Sequence, residues 1–460
     1  LKKPNVVFIM TDHQRADSIG MIQDGMEVTP NLNKLAAKGV VFNRAYNACP
    51  LCVPARTALA TSRYPTNNSI VYNDWEGVKA GNHKPIHEYL YEAGYEMAHV
   101  GVDHIRTQPS LKDRVSFKKW VTQKDHMSGL KSKGINSSQS LDHKKEVWEQ
   151  KDTGERYRKK YSNSRTSVWP HDVKDFRDCY FCEESIDFLK QNHKKPFALF
   201  TYFWAPHPPL IVPEPHAYKF DPKRITLPDN VGKISSKEPI SRRDGIAAQL
   251  AESVSMDEWR KAWAAHLGLV HFVDEQIGHL IDTLETIGEL NNTIIVFTAD
   301  HGDHLGQHSM YQKMEMYEEA IKVPLIIKIP NVQHKQINTV VSHLDVMPTL
   351  LDLLEINHDE CLDGASVKHL IDYENKEEDR QVFCQYSGNP SLGYVRRAII
   401  TSRYKYIYDG SNEQELYDLL MDPHEMFNIA EEKDYEKLVI ALHDKCKQWG
   451  ASHGDWVNFE

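Results

Sequence analysis

The sequence predicts an α/β protein, a large mixed and mainly parallel sheet between helices, with a small C-terminal α+β domain. Three observations carry this reading. Short apolar runs at 5–10, 196–203 and 293–298 have the character of buried parallel strands. Each run ends directly in polar residues: Thr11-Asp12-His13, Trp204-Ala205-Pro206-His207 and Ala299-Asp300-His301. Helical patterns at 31–38, 84–93 and 256–288 separate them, which is the alternation typical of α/β chains.

A chain of 460 residues exceeds what one hydrophobic core usually organises. A large α/β domain over 1–355 and a smaller domain over 356–460 are therefore expected. Two stretches lack apolar periodicity: 108–175, rich in Lys, Ser and Glu, and 212–252, rich in Pro, Lys and Arg. They read as long surface excursions serving substrate selection. Beyond residue 354, the segments 397–401 and 404–408 read as short strands and 435–449 as a closing helix.

Composition excludes several classes. A hydrophobic content of 40% and a charged content of 26% mark a folded globular chain. The net charge of -10 gives no long-range attraction to nucleic acid or anionic lipid, so any anion site must be local. No apolar run reaches the length of about 18 residues that a membrane span needs. The chain begins at Leu1; removal of a signal peptide would imply a periplasmic, secreted or lysosomal protein, and its absence a cytoplasmic one. The seven cysteines, Cys49, Cys52, Cys179, Cys182, Cys361, Cys384 and Cys446, form no disulfide-scaffold pattern, and their odd number leaves at least one unpaired or altered.

The most specific local pattern is Cys52-Val53-Pro54-Ala55-Arg56. Proline favours the first helical turn, so Cys52 is expected at a helix N-terminus, where free amides and the macrodipole welcome negative charge. Read blandly, Cys49 and Cys52, like Cys179 and Cys182, are C-x-x-C pairs that could serve redox chemistry or a structural zinc, although their intervals match no compact zinc motif. Strand ends that release Asp12, His13, Asp300, His301 and His207 on one edge of an open sheet could share a single site.

C-x-P-x-R resembles the signature of type I sulfatases, of the alkaline phosphatase-like superfamily, in which that cysteine becomes formylglycine (3-oxoalanine). Further landmarks follow in the family's order. Thr298 to Gly302 resembles its second metal motif, Lys313 to Ile326 the segment after it, and Ala205-Pro206-His207-Pro208-Pro209 its leaving-group histidine motif. Asp345 to Leu350 resembles a late helix start, and Glu415 to Leu419 with Asp422-Pro423, Glu425 and Asn428 resembles its C-terminal signature. Three positions depart from the pattern. Ser62 stands where glycine is usual, His13 where aspartate or glutamine is usual, and Val102 where the family commonly has a sulfate-binding lysine.

The resemblance implies a sulfuric ester hydrolase acting on a sulfated oligosaccharide or polysaccharide fragment. It implies a divalent cation held by Asp12, His13, Asp300, His301 and residue 52, with calcium first and magnesium, manganese or zinc as alternatives. It implies a nucleophilic diol at Cys52 held by Arg56, with His104 as base, His207 as acid and Lys313 as charge neutraliser. A separate formylglycine-generating or anaerobic maturating enzyme is an implied partner. Asn73, Arg63 and Arg106 are candidates to replace the lysine missing at Val102, and Trp75, Trp120, Trp169 and Trp204 could present faces to sugar rings. Two alternatives stand: a phosphonate monoester or phosphodiester hydrolase of the same superfamily, and a non-catalytic carbohydrate-binding protein on this fold.

Overall fold

The computed structural model describes residues 3–135, 141–358, 361–372, 378–410 and 413–459. An eight-stranded sheet organises them. In chain order its strands are β1 (Asn5–Thr11), β2 (Val40–Phe42), β3 (Glu96–Gly101), β4 (Phe117–Thr122), β5 (Phe197–Tyr202), β6 (Thr293–Ala299), β7 (Leu325–Lys328) and β8 (Lys335–Ile337). In space they lie β8-β2-β7-β6-β1-β5-β3-β4. β7 is antiparallel to both neighbours and every other pairing is parallel.

β1 is central and every one of its residues is buried, with β5 on one side and β6 on the other. A strand covered on both faces needs no polar alternation, which is why this segment is a continuous apolar run. On one face the helices Arg177–Leu189 and Met256–Thr286 pack over Val7, Ile9, Leu199, Ile295 and Phe297. The long helix starts at a capping box: the Ser255 hydroxyl accepts from the Glu258 amide and the Glu258 carboxylate accepts from the Ser255 amide. On the other face, residues of Cys52–Thr61, Ile86–Glu92 and Val346–Leu353 cover Val6, Phe8, Met10, Ala198 and Phe200.

A second sheet, of four antiparallel strands in sequence order, comprises β9 (Val382–Tyr386), β10 (Arg396–Ile400), β11 (Tyr404–Asp409) and β12 (Gln414–Asp418). The helix Glu436–Ser452 lays Val439, Leu442, Cys446 and Trp449 against Phe383, Ile399, Tyr406 and Tyr408. Buried charge joins this unit to the rest. Lys405 Nζ on β11 lies 2.8 Å from both Glu318 Oε1 and Glu425 Oε1.

The segment 108–175 is more regular than its composition implies. It contains β4 at the sheet edge, the helix Gln123–Ser132 and the hairpin Lys144–Gln150 with Arg156–Ser162. Lysines on an edge strand deter pairing with another chain, and Lys118 and Lys119 of β4 supply that polarity. Cross-strand pairs such as Arg158 with Glu146, 2.9 Å apart, give the hairpin its charged composition. The second segment, 212–252, is mostly irregular and ends in the short helix Ile246–Ala251. Among the described residues no helix is long and apolar enough to cross a membrane.

Candidate active site

The carboxyl ends of β1 and β6 meet the N-terminus of the helix Cys52–Thr61. In a regular strand, consecutive side chains point to opposite faces. At the end of β1 His13 adopts a left-handed backbone, φ 64°, which breaks that alternation. Ligand atoms of Asp12, His13, Cys52 and His301 consequently lie within 4.8 Å of one another. At the end of β6, Gly302 lets the chain approach the Glu319 carbonyl so closely that a Cβ there would sit 2.0 Å from its oxygen. The helix begins at Cys52 itself, with Pro54 in its first turn, and the Val53 amide donates to Asn73 Oδ1 at 3.1 Å.

Residue 52 is the hub. Cys52 Sγ lies 3.6 Å from Asp12 Oδ1, 3.3 Å from His301 Nε2 and 2.7 Å from Lys313 Nζ. Lys313 Nζ is also 2.8 Å from His13 Nε2, whose other ring nitrogen is 2.8 Å from Asp303 Oδ2. Arg56, one turn along the helix, spans the two acidic residues: Nε donates to Asp300 Oδ2 at 2.8 Å and Nη2 to Asp12 Oδ2 at 2.9 Å. The remaining Asp300 oxygen accepts from the amides of His301 and His13.

Burial decides the protonation states. At Asp12 burial, reinforced by the charge of Asp300, pushes the carboxyl up to about 7. At Asp300 burial is overcome by the charge of Arg56, and the carboxylate stays below its ordinary value. Burial and the Asp12 charge push the Cys52 thiol well up, so an unmodified thiol here is protonated and a poor nucleophile. Burial, with the charge of Lys313, holds His13 and His207 low; burial, with the charge of Arg56, does the same to His104. His301 is pushed down to about 3, by burial first.

These groups fit a divalent cation. Metal-binding imidazoles must be neutral, and burial keeps them so. Burial and then the charge of Asp300 raise the Asp12 carboxyl against Arg56 and Lys313, and a cation at this point would oppose both causes. The converging ligand atoms are those of Asp12, His13, Cys52 and His301; His13 can offer a nitrogen only by giving up Lys313 or Asp303, and Asp300, outside this group, engages its oxygens with Arg56 and the amides of His13 and His301.

The structure distributes the other expected residues unevenly. The His207 ring centroid is 4.5 Å from that of His13, at the edge of the cluster. His104 is buried with Nδ1 unpartnered, its ring 5.0 Å from that of Trp75. Asn73 serves the Val53 amide and donates to Asn389 Oδ1 at 2.8 Å. Arg106 spends its donors on the carbonyls of Trp75, Ile105 and Asp103 and on the Asp103 carboxylate, bracing the loop that carries His104 rather than facing an anion. Arg63 lies past the far end of the helix, roughly 15 Å from Cys52 at 1.5 Å per residue, where it pairs with Asp363 at 3.2 Å. Trp120 stacks on His99 at 4.3 Å as part of the packing on β3 and β4. In this structure Arg63, Arg106 and Trp120 are engaged with Asp363, with the loop that carries His104 and with His99 respectively, not with the cluster around residue 52. Val102 is fully buried in the apolar layer. All seven cysteines are free, and no cluster among the described residues unites the two C-x-x-C pairs. Asp303 was missed: burial pushes it up to about 7 and it fixes the His13 ring. Its only signal is an acid three residues after Asp300 in a glycine-containing loop.

Comparison with known proteins agrees with this geometry. The Sulfatase family model matches residues 4–356, and the model for N-sulphoglucosamine sulphohydrolase, C-terminal, matches 306–451. An arylsulfatase of Clostridium perfringens is 29% identical over 463 residues, covering 96% of this chain and 93% of the relative. An N-acetylglucosamine-6-O-sulfatase of Bacteroides thetaiotaomicron is 26% identical, covering 97% and 87%. A phosphonate monoester hydrolase of Agrobacterium radiobacter shares the fold, with a TM-score of 0.78 at 22% identity over 98% of this chain and 96% of that one. With the buried cluster of metal-ligating side chains and a family model spanning most of its length, this chain belongs to the sulfatase family, sulfuric ester hydrolases that generally use a divalent metal and formylglycine.

Proposed function

We propose that this protein hydrolyses a sulfate ester on a sugar, using formylglycine made from Cys52 by a separate maturating enzyme and a divalent cation, calcium first. The observation that carries the reading is the convergence on residue 52 of Asp12, His301 and Lys313. Sγ stands where a hydroxyl of the hydrated aldehyde would stand. When present, the cation and that hydrate supply an oxygen nucleophile at neutral pH and a Lewis acid for a sulfate oxygen.

The chain's own residues do the rest. Asp12, Asp300 and His301 anchor the cation, and Arg56 fixes the spacing of the two carboxylates. Lys313 is a buried ammonium that neutralises charge on the sulfuryl group. His207 donates a proton to the departing sugar oxygen; a bound sulfate favours the imidazolium that burial alone disfavours. His104, neutral and with Nδ1 unpartnered, accepts the proton that must leave position 52 before the next turnover.

Sugar is favoured as leaving group by the aromatic surface next to His207, where the Trp204 ring lies 4.2 Å away, and by the glucosamine sulfatase among the relatives. The likeness to a phosphonate monoester hydrolase keeps that activity as the second reading. Mass analysis of the peptide carrying residue 52, from a host with maturating enzyme, tests the proposal together with a screen of sulfated saccharides. Aldehyde at 52 and saccharide turnover are expected; an unmodified thiol, or turnover of none of them, would count against it.

A further inference from the structure

The cavity next to His207 contains an arginine that, among the described residues, makes no ion pair. The cavity, of about 80 Å³, is lined by Trp169, Phe176, Arg177, Trp204, His207 and Leu269 among others. Arg177 opens the helix Arg177–Leu189 and places its guanidinium over the Trp204 ring, Cζ to centroid 4.4 Å. Trp204 is in turn 4.2 Å from the ring of His207. The three side chains form a continuous stack leading away from the reacting centre.

Among the described residues Arg177 has no hydrogen bond and no ion pair, and its buried Nε lacks a partner. The adjacent Asp178 also lines the cavity but makes no ion pair with it: Oδ1 accepts from the amides of Trp204 and Ala205 at 2.6 and 3.3 Å, Oδ2 is buried without a partner, and burial pushes the carboxyl up to about 6, toward the neutral acid. The fully buried arginines behave differently. Arg56, Arg242, Arg396 and Arg397 each face a carboxylate within 3 Å. Arg177 is half-buried: its Nε is withdrawn from water without a hydrogen bond, the nearby charges of Asp178 and Asp12 form no ion pair with it, and stacking on Trp204 offsets only part of the cost. Its planar fork of donors matches a carboxylate or a sulfate.

We infer that Arg177 is a specificity-determining anion subsite: it binds a second negatively charged substituent, sulfate or carboxylate, on the sugar that leaves past His207, while Trp204 and Trp169 support the ring. The inference rests on the sulfatase reading, because His207 orients the leaving group toward this cavity. It names the substrate class as an acidic saccharide, multiply sulfated or containing a uronic acid. Arg177 takes no part in the bond changes, so small aryl sulfates do not need it.

The test compares the matured wild type with Arg177→Gln and Arg177→Lys. The substrates are 4-nitrophenyl sulfate, a monosulfated amino sugar, the same sugar with a second sulfate, and a monosulfated disaccharide containing a uronate. The wild type is expected to prefer one of the doubly anionic saccharides over the monosulfated sugar by about 10-fold or more in kcat/KM, the scale of a charge-assisted hydrogen bond. Arg177→Gln should lose that preference mainly through KM, and Arg177→Lys should recover part of it. Both variants should turn over 4-nitrophenyl sulfate within about two-fold of the wild type, which also shows that they fold. Which saccharide responds identifies the anion as sulfate or carboxylate. Equal losses on every substrate, or an unchanged preference, would overturn the inference and leave the sulfatase reading standing. Failure of the wild type on all sulfate esters would overturn both.

Discussion

Lys313 Nζ lies 2.7 Å from Sγ of Cys52 and 2.8 Å from Nε2 of His13, and the side chain is almost completely buried. A lysine is seldom buried without a charge to meet, and here burial, which lowers its pKa, is outweighed by Cys52 first and then Asp12 and Asp300. With Val102 in the apolar layer, Lys313 is the ammonium that the proposal assigns to the transferred group. Lys313→Ala is expected to lower kcat for an aryl sulfate by about 10²–10³-fold, the scale of a lost electrostatic stabiliser. Steady-state kinetics on matured protein checks this, and a loss below about ten-fold would remove Lys313 from the role.

Arg56 holds together two buried carboxylates that would otherwise repel. Replacing it by methionine leaves both without their counter-charge. Removing one partner of a buried pair typically costs about 3–5 kcal/mol. The melting temperature of Arg56→Met should therefore fall in chelator, and calcium should raise it by more than it raises that of the wild type. Equal calcium shifts in the two proteins would mean that the cation does not meet these carboxylates.

His207 is assigned the leaving-group proton. A poor leaving group needs that proton and a nitrophenolate does not. His207→Ala should reduce turnover of an alkyl or sugar sulfate by about 10²–10⁴-fold and that of 4-nitrophenyl sulfate far less. Uniform losses across leaving groups would point to positioning in place of acid catalysis.

Arg63 provides a control at the far end of the catalytic helix. Its pair with Asp363 is largely buried, the side chains 18% and 7% exposed, so Arg63→Ala should cost about 1–3 kcal/mol of stability and leave kcat/KM essentially unchanged. A large loss of activity would tie it to the site.

Lys405 ties β11 to Glu318 and Glu425 in the interior. Lys405→Met would strand two glutamates, and a loss of about 3–5 kcal/mol is expected in chemical denaturation. A stability equal to the wild type would show that this buried charge does not hold the second sheet in place.

Legibility followed physical signal. β1, β5 and β6 were readable because strands covered on both faces are uninterrupted apolar runs, and the long helix because its apolar stripe persists over 31 residues. β2, β7 and β8 are two to four residues long in their paired registers, too short for a periodic signal. β4 and the hairpin hid behind their lysines and glutamates. In the site, Asp12, Cys52, Asp300 and His301 sit where strands and a helix end, and local order placed them. Direction was not encoded in that order, so Arg63 followed its helix away from Cys52. Asp303 and Arg177 had no pattern of their own. The first is defined by the His13 ring it holds and the second by the partner it lacks.

The most direct measurement is parallel turnover of 4-nitrophenyl sulfate and a 4-nitrophenyl phosphonate monoester by matured protein and by Cys52→Ala. The account predicts a much higher rate on the sulfate, abolished by the substitution. A higher rate on the phosphonate, or sulfate turnover that survives the loss of Cys52, would contradict it.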